Sequence, residues 1–200
     1  MLSRMISGGV TTMAEISAAL DAMPHEERLA AVRGLSATDL ANLYERAEEC
    51  DAITMEHFVP EERPELTEVI HHGLNSLPAF RTFQKRFCRS TNQRGQTAIY
   101  GYNEGVTRPL IGPGFFVTHP TRGVEHWESR GAVVIDYHLE PDGPLACTWP
   151  HPKPNSDGLQ HFVYYRTRDF MRRVSEHVSI GSAYKDEKKI NAYFVLCRED

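Results

Sequence analysis

Hydrophobic positions in the first fifty residues recur at helical spacing. Ile16, Leu20 and Met23 share one face of "AEISAALDAM", and Thr12-x-x-Glu15 ahead of them is a capping-box pattern. Pro24 suits the first turn of a second helix, "PHEERLAAVRG", closed by Gly34. Ser36-x-x-Asp39 opens a third, with Leu40, Leu43 and Tyr44 on one side. These apolar stripes are short, so the helices are expected to dock on something larger. Residues 1–12 read as a loose tail, with Met13 an alternative start. Residues 13–50 form the helical segment, and 51–63 read as a linker.

Residues 64–200 read as an α+β domain, and all segments together are compatible with one domain. Pro64 and Glu65 suit the first turn of a helix over "PELTEVIHHG", with Leu66, Val69 and Ile70 as its stripe and Gly73 as its cap. Phe80, Phe83 and Phe87, spaced three and four apart, make one face of a further helix. After about residue 96 the pattern changes. "QTAIYGYN", "GFFVTH", "AVVIDYHLE", "LACTW", "HFVYY", "HVSIGSAY" and "NAYFVLC" are short and rich in β-branched and aromatic residues. Turn signals separate them, as at Gly112-Pro113-Gly114 and Pro141-Asp142-Gly143. Such strands with hairpin-length links predict an antiparallel sheet or small barrel. "YRTRDFMRRVSE" is expected to interrupt them as a helix. "WPHPKPNSDG" reads as an extended surface loop.

Composition narrows the class. The chain has 200 residues, 40% hydrophobic and 24% charged, as in ordinary globular domains. No run of about 18 apolar residues exists to predict a spanning helix. Gly8, Gly9, Thr11 and Thr12 interrupt the early apolar stretch, which argues against a signal peptide. Cys50, Cys88, Cys147 and Cys197 are dispersed, without C-x-x-C, and fit reduced thiols in a cytoplasmic protein. The net charge is −5 but uneven: residues 1–65 carry −8 and residues 66–100 carry +4. Overall acidity argues against general nucleic-acid binding. The local basic segment keeps an anion site open.

Candidate chemistry follows from that segment. Read as a helix, its aromatic face carries Arg81, Lys85, Arg86 and Arg89 on the other sides, a pattern for a solvated basic face or for a phosphate or carboxylate site. His71 and His72, about 100° apart on a helix, suit a helix end better than a shared metal. His119, His126, Glu128 and His138 form a possible metal set. The alternation of Val133, Ile135 and Tyr137 with Val134, Asp136 and His138 fits a half-buried strand better. Ser175 and His177 share a face if extended, but no G-x-S-x-G elbow, P-loop or dinucleotide fingerprint accompanies them.

The expected fold is α+β, with short N-terminal helices packed on a C-terminal antiparallel β-sheet or small barrel. The expected function is binding of a small anionic or aromatic ligand between sheet and helices. Arg81, Lys85 and Arg86 would supply charge, Tyr100 and Tyr102 would stack, and His177 would serve as the catalytic histidine of an enzyme. One alternative is a protein-interaction module acting through the acidic N-terminal helices, with homo-oligomer formation through complementary charge. Another is a metal-dependent enzyme using His119, His126, Glu128 and His138. No cofactor is specified by the sequence.

Overall fold

A computed structural model describes residues 1–200. Eight antiparallel strands close into a barrel in sequence order: β1 (Val69–Asn75), β2 (Thr82–Thr91), β3 (Thr97–Glu104), β4 (Phe116–Pro120), β5 (Val133–Asp136), β6 (Thr167–Arg173), β7 (Val178–Lys185) and β8 (Lys188–Arg198). The ring closes where β1 pairs with β8, through His71–Arg198 to Asn75–Phe194. Four helices precede it: α1 (Leu2–Ser7), α2 (Met13–Asp21), α3 (His25–Arg33) and α4 (Ala37–Arg46). The expected α+β fold with N-terminal helices on an antiparallel barrel is what forms.

Side chains alternate across each strand, so the ring divides them into two sets. Val69, Phe87, Ile99, Phe116, Val133, Ile135, Met171, Phe194 and Leu196 fill the interior. Gly73 makes room there: a Cβ would lie 2.5 Å from the Phe83 ring. The outer faces of β7, β8 and β1 present Leu74, Val178, Ile180, Tyr193, Val195 and Cys197, and these pack against Ile16, Leu20, Val32, Leu40 and Leu43 of the helices. The predicted capping box forms between Thr12 and Glu15, and Ser36, expected to open a helix, makes a second one with Asp39. The outer faces of β2 and β3 are covered by the connection between β5 and β6, where Trp149 packs on Tyr102 and Phe115.

Several expected elements take another form. Residues 64–73 and 80–89 were expected to be helical, yet they supply β1 and β2. A spacing of four, as between Phe83 and Phe87, satisfies both a helical and a two-residue period, and pairing with β3 selects the second. Phe80, which completes the helical face, instead lies outside β2 with φ 52° and is 69% exposed. "TRDFMRR" is β6 rather than a helix, whereas "HFVYY" contributes to a short helix, Gln160–Val163, and "LACTW" forms no strand. The expected loose tail contains α1, whose Leu2 and Ile6 are buried in the helical core. Arg46 holds it by donating to the carbonyls of Met5, Ile6 and Thr11.

The expected linker, 51–63, plugs one end of the barrel. Ile53, Phe58 and Val59 are buried among the interior side chains. Arg89 donates to the carbonyls of Val59, Pro60, Glu61 and Arg63, and Arg198 donates to that of His57. His71 Nε2 donates to the Phe58 carbonyl at 3.0 Å. Of the adjacent His71 and His72, the first therefore points inward. His72 points outward and meets Glu199 at 2.7 Å.

The plug generates two predictions. Phe58→Ala removes a fully buried ring and is expected to cost about 3–5 kcal/mol of unfolding free energy, measured by urea titration. The second concerns acid. Burial lowers the His71 pKa from 6.5 to about 3, against the opposing Phe58 hydrogen bond, and burial also holds His57 well below its ordinary value. The unfolded chain therefore takes up protons first. Stability present above about pH 6.5 is expected to fall as pH drops toward 3. His71→Asn should reduce that slope by up to one proton, read from urea midpoints across the interval.

Candidate functional site

The opposite end of the barrel is open. Its mouth leads into a cavity of about 340 Å³ walled by Phe83, Tyr164, Ala183, Ala192 and Phe194. Around the rim stand Leu77 and Phe80 from the β1–β2 turn, Val106 and Ile111 from the β3–β4 connection, Val163 of the short helix before β6, and Ile190 at the start of β8. Several face water: Val106 is 80% exposed and Ile190 48%.

Charge waits on the inner wall. β2 turns Lys85 inward between Phe83 and Phe87, directly opposite Asn103 of β3. β6 turns Asp169 inward between Thr167 and Met171, and Tyr137 follows β5 into the same space. Lys85 Nζ lies 3.1 Å from Asp169 Oδ2 and donates to Asn103 Oδ1 at 3.0 Å. It also donates to the Tyr137 hydroxyl. Asn103 Nδ2 donates to the Gly114 carbonyl at 3.0 Å and to the Tyr137 hydroxyl at 3.1 Å, which fixes the amide's orientation. Rings enclose the ammonium, with centroids at 5.7 Å for Phe83, 5.1 Å for Phe116, 5.0 Å for Tyr137 and 4.9 Å for Phe194. Tyr164 stacks on Tyr137 at 5.3 Å.

Lys85 and Asp169 are 2% and 4% exposed. Burial lowers the lysine pKa, opposed by the charge of Asp169. Burial raises the aspartate pKa, opposed by Lys85. Both shifts favour moving the proton from nitrogen to oxygen. Burial also pushes Tyr137 well above its ordinary value, so its hydroxyl stays protonated and available as a donor. The group is a paired acid and base, with two further hydrogen-bonding side chains, facing an apolar cavity.

Of Arg81, Lys85, Arg86, Tyr100, Tyr102 and His177, the residues expected to form the site, only Lys85 reaches this cavity. Strand alternation turns Arg86 outward, where it pairs with Glu68 at 2.9 Å and with Gln84. Arg81 donates to the carbonyls of Leu35 and Asn75, tying the β1–β2 turn to the helices. The three cations therefore do not converge. Tyr100 and Tyr102 lie on the outer face of β3; Tyr100 donates to Asp142 at 2.6 Å. His177 sits in the β6–β7 turn, 3.1 Å from Asp200 and 3.5 Å from Arg198, at the plugged end. The four metal-set residues disperse: His119 meets Asp136 at 3.5 Å, His126 meets Glu187 at 3.7 Å, Glu128 accepts from the Gly123 amide, and His138 is exposed. No three His, Cys, Asp or Glu side chains converge as a metal site. The space between sheet and helices, where a ligand was expected, is packed core.

Tyr137 and Asp169 were not among the sequence candidates. Asp169 carried a usable signal: in "TRDFMRR" read as a strand, it shares a face with Met171. A carboxylate on that face needs either a partner or a function.

The pair also sets an energetic expectation. Asp169→Leu leaves Lys85 buried without its counter-charge and is expected to cost about 3–5 kcal/mol. Adding Lys85→Met should restore most of that loss, because a well-packed apolar pair replaces the buried ions. Urea unfolding of both variants, as a double-mutant cycle, measures the recovery.

Comparison of the chain with protein-family models, curated proteins and solved structures finds no match, so the functional reading stands on the geometry of the barrel mouth.

Proposed function

We propose that the protein binds a small, mainly apolar molecule carrying one neutral oxygen function, such as a carbonyl or hydroxyl, inside the mouth of the barrel. The observation that carries this reading is the cavity of about 340 Å³ whose walls are apolar while its polar groups gather at Lys85, Asn103, Tyr137 and Asp169. Ligand sites commonly have this form, a greasy pocket with few placed polar groups, and volumes of roughly 300–1,000 Å³. The aromatic character expected from the sequence is retained in Phe83, Tyr164 and Phe194. Anionic character is not, because Lys85 is already neutralised by Asp169 and no second cation joins it. An anion there would face the aspartate carboxylate, whereas a carbonyl or hydroxyl accepts from Lys85 or Tyr137 without adding charge.

The exposed apolar rim supports access for such a molecule, since it extends the cavity's character to the surface. A reducing, cytoplasmic setting suits the four unpaired thiols, two of them buried. No helix is long and apolar enough to cross a membrane. Closure of the ring removes the free strand edges through which sheets pair, so self-association would have to use another surface.

The test is a thermal-shift and fluorescent-reporter displacement series with octanol, octanone, octanoate and octylamine. Octanol and octanone are expected to stabilise the protein, by about 2.7 kcal/mol at a hundredfold excess over Kd, and to outcompete the two charged analogues. Ala192→Phe, which fills the cavity, should abolish the shift. Absence of any response to all four ligands, or a response unchanged in Ala192→Phe, would defeat the proposal.

A further inference from the structure

We propose that Lys85 forms a covalent imine with an aldehyde or ketone group on the bound molecule, with Asp169 as its proton partner and counter-ion. This deepens the reading of the mouth as a ligand site and rests on it. Lysine is scarce in this chain, and Lys85 is the one lysine turned into the barrel. Lys153, Lys188 and Lys189 are exposed, and Lys185 is half-buried and donates to the Phe162 carbonyl. Desolvated lysines are the ones that serve as amine nucleophiles, because burial favours the free amine. Here the desolvation comes from four aromatic rings within 5.7 Å of Nζ.

The chemistry closes on groups already in place. Proton transfer across the 3.1 Å contact converts the ion pair to amine and carboxylic acid. The nitrogen lone pair attacks the carbonyl carbon; a C–N bond forms and the C=O π bond breaks. The carbonyl oxygen takes the Asp169 proton, and the carboxylate then accepts a proton from nitrogen, leaving a neutral carbinolamine and a carboxylic acid. The nitrogen lone pair expels the hydroxyl, which takes the proton from Asp169 and departs as water. The product is a protonated imine facing a carboxylate. One ketone or aldehyde is consumed, one water is released, and the charge of the site is unchanged throughout. No oxidant or reductant is involved.

That conservation of charge is the strongest physical support. The iminium inherits the position of the ammonium, so the carboxylate and the aromatic cage that stabilise the resting lysine also stabilise the adduct. Tyr137, whose hydroxyl lies within hydrogen-bonding range of Nζ, offers a donor to the carbonyl oxygen as it gains charge, and Asn103 Oδ1 accepts from the nitrogen. The apolar cavity restricts the water that would hydrolyse the imine. A purely structural ion pair needs neither an adjoining cavity nor an accessible mouth.

The test treats the purified full chain with octanal and cyanoborohydride, which reduces an iminium to a stable secondary amine, and maps the adduct by peptide mass spectrometry. Lys85 is expected to be labelled at least about tenfold faster than Lys153, Lys185, Lys188, Lys189 or the N-terminal amine, since the cavity holds the reactants together. Excess octanol should suppress that labelling. The Lys85→Met, Asp169→Leu double variant, whose apolar replacement preserves the fold, should lose it. If octanol displaces the reporter but Lys85 stays unlabelled, or labels no faster than the surface lysines, the imine is overturned and the binding site stands. If octanol and octanal both fail to bind, the binding site falls and the imine with it.

Discussion

The pairing of β8 with β1 is the constraint on which the rest of the molecule depends. Once the ring is closed, every strand residue is assigned to an interior or an exterior, and a shift of one residue would exchange the two sets. The interior must then be filled, and the barrel does so unevenly. Phe58 and Val59 enter at one end from outside the strands, held by carbonyl contacts to Arg89 and Arg198. No comparable segment enters the other end. The difference between a solid core and a cavity within one barrel comes from that single plug.

The same closure explains why a lysine and an aspartate remain buried. Lys85 and Asp169 come from β2 and β6, far apart in the ring, and meet only across its lumen. Ion pairs in such places are weak contributors to stability, because desolvation offsets most of the attraction. Their retention beside a cavity is therefore more informative than a surface ion pair would be. Perturbed ionisation next to a cleft is the physical ground for treating the pair as a candidate site.

Some of this was legible along the chain. The capping box at Thr12, the helix start at Ser36, the short helical stripes and the β-rich stretches "QTAIYGYN" and "NAYFVLC" were read correctly because their signals are local. The alternation of Val133, Ile135 and Tyr137 also placed those three side chains on the interior face. The misreadings share one cause. Phe83 and Phe87 satisfy two periods at once, and Val69 with Ile70 reads as a helical stripe until pairing sends the two to opposite faces. The tail and the linker failed for a different reason: Leu2, Met5 and Ile6 make only a single helical turn's worth of pattern, Ile53, Phe58 and Val59 make none, and only docking on distant surfaces reveals their roles.

The sequence by itself determined the fold class, the positions of α2, α3 and α4, and the scarcity of lysine. It also placed Lys85 among aromatics. It did not determine which way Lys85 pointed, that Arg81 and Arg86 would be engaged elsewhere, or that Asp169 would supply the counter-charge. Those facts depend on register and on contacts across more than eighty residues of chain, from Lys85 to Asp169. Local physical chemistry fixes which residues prefer helix, strand or turn. Only the closed ring decides which of them share an interior, and the candidate site exists only there.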